Sequence, residues 1–103
     1  MQESEMNSPQ EILLQTETVM VRKMTLAPNE IGPMHFHTRM AEHIVCLTGE
    51  ILVSIQDAAP HRLLPGQSVV IQPTVCHRVK NERDSVSEYL LTQSGGDYDR
   101  HDV

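Results

Sequence analysis

The stretch HFHTRMAEH, residues 35–43, packs three histidines and one glutamate into a short piece of a 103-residue chain. On a β-strand, side chains two apart point to the same face. His35 and His37 therefore project together, with Phe36 on the opposite side. The chain enters a further strand near Glu42, along which Glu42, Ile44 and Cys46 share one face and His43, Val45 and Leu47 the other. Strand parity lets only one of Glu42 and His43 face the space that His35 and His37 face, and Glu42 is the one assigned to it. An alternating histidine pair alone can equally be a polar surface face, so the surrounding sequence has to decide.

Outward from this stretch the chain reads as short strands punctuated by turns. ILLQT (12–16) and TVMVRKMTL (18–26) are rich in apolar and β-branched residues, and APNEIGP (27–33) is a turn cluster. AEHIVCLTGEILVSIQ (41–56) reads as a hairpin broken at Thr48-Gly49-Glu50. HRLLPGQSVVIQPTVCHRVKN (61–81) holds two strands around the turns at Pro65-Gly66 and Pro73-Thr74, and SEYLLTQS (87–94) is a last strand. No segment shows a helical period over ten or more residues. Many short strands at regular spacing predict a single all-β domain, a sandwich or barrel, over residues 11–94. Residues 1–10 read as a loose polar tail and residues 95–103 as a short polar one.

Composition narrows the function classes. With 39% hydrophobic and 21% charged residues the chain is an ordinary globular one. It has no Trp, one Phe and two Tyr, so its core must be built from Val, Ile, Leu and Met. A formal charge of −6 without a basic stripe argues against nucleic acid and against a membrane surface. No apolar run approaches a membrane span and the N-terminus has no signal-peptide pattern, which predicts a cytoplasmic protein. Cys46 and Cys76 are not in a C-x-x-C spacing and read as thiols in a reducing compartment.

From His35 the order is H-x-H-x4-E-x6-G, closing on Gly49. GQSVVIQPTVCHRVKN follows, with Gly66, Pro73 and an H-x3-N from His77 to Asn81. These two segments resemble the two motifs of the cupin superfamily, small β-barrels of the double-stranded jelly-roll type, and the resemblance covers roughly residues 19–93. The family's leading glycine falls on Asn29, which tolerates a positive φ. Its second-motif proline falls on Gln72 and the following glycine on Thr74, so that loop is expected to differ in shape.

The resemblance implies a metal held by His35, His37, Glu42 and His77. Chemistry supports the set independently: imidazole suits several first-row metals, and one carboxylate adds a hard ligand and offsets charge. The ion would be a single divalent one: iron, manganese, nickel, zinc or copper. Four protein ligands leave open positions on a five- or six-coordinate ion, as catalysis requires. Asn81 reads as structural, Cys46 as packing, His43 as an outer-face residue, and His61 and His101 as solvated. Arg39 could meet an anion at the mouth but is more often a surface charge. Met20, Met24, Met34 and Met40 either line an apolar pocket or fill the core.

Three functional readings follow. One is a single-domain cupin enzyme of dioxygenase, isomerase or lyase type acting on a small polar metabolite, with no general acid or base visible beyond the ligands. A narrower one starts from RMAEHIVCLTGEI and EYLLTQSGGDYD, which are similar to the C-terminal cupin segment of type II mannose-6-phosphate isomerases. Met40 interrupts that match. The third is a non-catalytic binding or sensing cupin with a structural metal. A homodimer is expected, implied by the family resemblance and supplied with apolar surface by Val45 and Leu47.

Overall fold

The computed structural model describes residues 10–103. Ten β-strands and no helices make up the described part: β1 Gln10–Gln15, β2 Val19–Leu26, β3 His35–Phe36, β4 Met40–Thr48, β5 Ile51–Ile55, β6 His61–Leu63, β7 Ser68–Ile71, β8 His77–Lys80, β9 Ser87–Gly95 and β10 His101–Asp102. They form two five-stranded antiparallel sheets, one in the order β1-β2-β9-β4-β7 and the other β10-β3-β8-β5-β6. The all-β domain expected from the strand spacing, and the jelly-roll barrel that the cupin resemblance implied, are what the chain forms. The expected N-terminal tail lies outside the described residues except for Gln10, which begins β1.

Alternation builds the core. Along β4, Met40, Glu42, Ile44 and Cys46 are buried, while His43 and Leu47 are exposed. Cross-strand pairing extends this face in rows: Met20, Gln93, Glu42 and Ile71 lie opposite one another, then Arg22, Leu91, Ile44 and Val69. Met24, Leu26, Val53, Leu63 and Val79 complete a mainly aliphatic core, which also takes in Met40 and, beyond the residue types expected, the ring of Tyr89. Cys46 is fully buried, Cys76 half-buried, and both are free.

Two expectations need correction. β4 and β5 are not a hairpin. β4 pairs with β7 and β9, β5 with β6 and β8, so Thr48-Gly49-Glu50 carries the chain from one sheet to the other. Gly49 has φ +77, and a Cβ there would collide with the Ser87 side chain. Local turn residues look the same whether the next strand pairs or crosses over. The short polar tail expected over residues 95–103 also carries a strand, β10, outside the domain bounds expected from the sequence. Gly95, at φ +125, and Gly96 pass tightly against Arg39, where a Cβ on either would approach within 2.8 Å. The chain then returns along the second sheet, where β10 pairs with β3.

Asn81 fixes the turn beyond β8, as expected. It is 1% exposed; its amide donates to the carbonyls of Ala27 and Ser85, and its oxygen accepts from Arg83 N and Ser87 Oγ. Asn29 takes φ +60, and Thr74, in place of the family glycine, takes φ +72. For a β-branched residue that conformation is strained.

Thr74 is exposed, so its side chain contributes little packing against that strain. Thr74→Gly should raise stability by about 1 kcal/mol, read as a higher urea midpoint at unchanged slope. Gly49→Ala should lower it by about 2–3 kcal/mol in the same titration.

Candidate metal centre

His35 and His77 face each other across β3 and β8 of one sheet, Glu42 stands on β4 of the other, and His37 lies just beyond β3. The site thus sits on the seam between sheets. All four sequence-assigned residues converge: one potential ligand atom from each lies within 4.8 Å of the others. His37, Glu42 and His77 are 4%, 3% and 1% exposed, and His35 is half-buried.

Backbone carbonyls orient all three rings. His35 Nδ1 donates to Pro33 O at 2.9 Å, His37 Nδ1 to Asp99 O at 2.5 Å, and His77 Nδ1 to Val75 O at 3.0 Å. A carbonyl can only accept, so each Nδ1 carries the proton and each Nε2 keeps its lone pair free for the site. Glu42 Oε2 lies 3.1 Å from His37 Nε2, and Oε1 lies 2.6 Å from His77 Nε2. Yet both Nε2 atoms are buried without a hydrogen-bond partner. Lone pairs aimed at a carboxylate repel it unless a proton or a cation stands between them. Orphaned imidazole nitrogens around one carboxylate are a donor set that fits a divalent first-row ion.

The electrostatics follow from this crowding. Burial lowers the His35 pKa to about 4, more than its Pro33 hydrogen bond raises it. Burial alone would also lower the His37 pKa, but the negative charge of Glu42 beside Nε2 outweighs it and raises the pKa above its ordinary value, favouring a proton on Nε2 while no cation stands there. Burial would raise Glu42, but His37 and His77 at its two oxygens hold it well below the usual carboxylate range.

Groups with no assigned role in the sequence surround the ligands. Gln93, opposite Glu42 across β9 and β4, donates from Nε2 to Glu42 Oε2 at 2.6 Å and accepts from Arg22 Nη2 at 2.8 Å. Asp99 holds the Thr38 amide and hydroxyl with its carboxylate, so the C-terminal segment anchors the loop that bears His37. The Thr38 hydroxyl and amide, and His101, hold that carboxyl well below its usual range. His101 is exposed as expected, but it stacks on Phe36 and contacts Asp99. Only contacts between β9, the C-terminal segment and β4 reveal these roles; no local motif marks them.

A cavity of about 380 Å³ opens beside the ligands, bordered by His35, Glu42 and His77. Its wall also includes Arg22, Met24, Ile44, Tyr89, Leu91 and Arg100. Arg39, the basic residue considered for the mouth, is exposed and not on this wall. His43 and His61 are exposed.

The Cupin domain family model matches residues 22–92, so the chain belongs to that family. An uncharacterised protein of Methanocaldococcus jannaschii is 24% identical over 84 residues, 82% of this chain and 72% of the relative. A double-stranded β-helix protein from Klebsiella pneumoniae superposes with a TM-score of 0.82 at 14% identity, over 93% of this chain and 84% of the other. A sugar phosphate isomerase of the cupin superfamily from Silicibacter pomeroyi gives a TM-score of 0.68 at 19% identity, over 75% of this chain and 50% of that one. At these identities the structural likenesses establish the fold.

The His35 shift has a definite sign. Its folded pKa of about 4 lies below the ordinary 6.5, so the unfolded chain takes up that proton first. Stability from neutral His35 is complete above 6.5 and is lost as pH falls toward 4. Glu42, lowered in the folded state, adds a loss at still lower pH. The raised His37 gives an opposing gain that is complete below 6.5, so in chelator the melting temperature should fall by on the order of 5–10 °C between pH 6.5 and pH 4.5; a flat profile over that window would contradict the burial of His35.

Proposed function

We propose that this cupin binds one divalent first-row metal ion through His35, His37, Glu42 and His77 and acts as a metal-dependent enzyme on a small polar metabolite. The observation that carries the reading is the pair of buried, unpartnered Nε2 atoms of His37 and His77, facing Glu42 with both rings locked by backbone carbonyls. Bound there, the ion would supply Lewis acidity and, where redox-active, electron transfer.

The chain's own residues supply the rest. Gln93 fixes the Glu42 carboxylate, and the carbonyls of Pro33, Asp99 and Val75 hold the imidazoles in the ligating tautomer. Met24, Leu26, Ile44, Val79 and Leu91 give the cavity a largely aliphatic wall that limits water. Glu30 and Tyr89 also border it and are the wall groups outside the ligand set suited to hold or accept a proton beside a bound molecule. The three ligands on the cavity wall leave the fourth, His37, on the closed side, an arrangement suited to an ion open toward the cavity.

Elemental analysis of the untagged protein should give about one metal per chain, and His77→Ala should lower the content at least about tenfold. Azide added to the cobalt(II)-loaded protein should change its visible absorption, as an open coordination position requires. Absence of metal after reconstitution would overturn the site; a metal indifferent to azide would favour the non-catalytic role.

The proposal extends to assembly and setting. Two chains pair through the outer face of the first sheet, supported by two apolar pairs, Leu14 opposite Val21 and Val45 opposite Leu90, with Val70 on the same face opposite His43. Val70 is 54% and Leu14 53% exposed, more open surface than isolated apolar residues explain. The free Cys46 and Cys76 thiols agree with a reducing, cytoplasmic setting. Val45→Glu should shift the protein from dimer toward monomer in sedimentation velocity; an unchanged distribution would argue against this face.

A further inference from the structure

One of the four candidate ligands depends for its orientation on a segment that buries almost nothing. Residues 97–103 leave the barrel after Gly95-Gly96, which is held against Arg39 by the Gly96 amide on Arg39 O at 2.9 Å. Beyond that point Asp99 and Arg100 are half-buried and the other five residues are exposed. Yet His37 is 4% exposed, and its Nδ1 donates to the carbonyl of Asp99, 62 positions away. His35 and His77 differ in this respect. Their orienting carbonyls belong to Pro33 and Val75, two positions before each ring on its own segment. A segment with so little buried apolar surface opens locally at a small part of the cost of global unfolding.

This segment docks on residues 34–38, which carry both His35 and His37. The Asp99 carboxylate accepts from the Thr38 amide at 2.9 Å and from the Thr38 hydroxyl. β10 pairs with β3, the His101 ring stacks on Phe36, and the Val103 amide donates to Met34 O at 3.0 Å. Arg100, between these contacts, borders the cavity. One opening motion therefore has two effects. It takes the orienting carbonyl from His37, leaving that ring free to turn, and it withdraws Arg100 from the cavity wall.

Resting on the metal reading above, we infer that residues 97–103 form a latch whose docking is coupled to metal occupancy, with Asp99 the positioning residue for His37. Docked, the latch presents all four ligands together. Released, it leaves only His35, Glu42 and His77 held in place. An ion that binds four ligands better than three stabilises the docked latch by that same ratio of affinities, because linkage is reciprocal. The latch in turn sets how fast the ion leaves, since the open state is one ligand short. Metal release and latch opening therefore share one population.

Hydrogen exchange on the full chain, zinc-loaded and in chelator, tests the coupling. Zinc should slow exchange of the 97–103 amides at least about tenfold. β6, the opposite edge strand of the same sheet, is the control and should slow less. Asp99→Ala and Thr38→Val weaken the carboxylate contact and keep the Asp99 carbonyl. In the zinc-loaded protein Asp99→Ala should quicken latch exchange about tenfold, and Thr38→Val by less. In each variant zinc transfer to a chelating dye should quicken by the same factor as latch exchange, at unchanged zinc stoichiometry. Latch exchange indifferent to zinc overturns the inference, as does equal slowing in β6. So does zinc release that stays at the wild-type rate while latch exchange quickens. Should Asp99→Ala not fold, Thr38→Val and the wild-type comparison decide. Failure of the metal reading is distinct: wild type would then retain no zinc by elemental analysis, whereas failure of the latch alone leaves one zinc per chain and unresponsive 97–103 amides.

Discussion

A carboxylate withdrawn from water between two sheets is the constraint on which the site depends. Glu42 is almost fully buried, and its two oxygens face His37 and His77. Isolated burial of that charge would be prohibitive, so the surrounding structure must balance it. The sheets do so from both sides: β3 and β8 deliver His35 and His77, while β9 delivers Gln93 opposite Glu42. A slip of β4 by one residue against β9 would turn Glu42 outward, away from Gln93, and expose the aliphatic residues of β4 beside it. Core packing and site geometry are therefore fixed by the same pairing.

The C-terminal segment has a comparable role. Its sequence, GGDYDRHDV, is short, polar and glycine-containing, the composition of an unstructured end. In the fold it completes one edge of the second sheet, and the Asp99 carbonyl orients His37, a candidate ligand without a regular strand beneath it. Asp99 also anchors Thr38, so the loop on either side of His37 is held by one residue. The edge strand thus gives precision to a ligand that would otherwise sit on a mobile loop.

Polarity inside the barrel is concentrated along one path. Gln10, Arg22, Gln93 and Glu42 form a hydrogen-bonded series from the edge of the first sheet to the candidate metal site, amid Met24, Ile44 and Leu91. Such a series inside an aliphatic core is costly to maintain and fixes orientation at every step. Arg22 and Glu42, at two steps of this series, border the same cavity.

Strand parity made much of this legible. The alternation around Glu42 separates the buried from the exposed face of β4, and the spacing of His35, His37, Glu42 and His77 carries the ligand set, because a period of two is a local property of extended chain. The positive φ of Asn29 and the structural role of Asn81 were legible on the same terms, as local backbone demands. Sequence could not decide which strand pairs with which: Thr48-Gly49-Glu50 suits a hairpin as well as a crossing between sheets. Nor could it show that Gln93 would stand opposite Glu42, that Arg22 would point into the cavity beside it, or that the C-terminal nine residues would close on His37. Those facts depend on long-range register, which is set by burying both sheets against one core at once. The sequence by itself determined the barrel class and marked His35, His37, Glu42 and His77 as one candidate site; the tertiary structure alone decided what surrounds them.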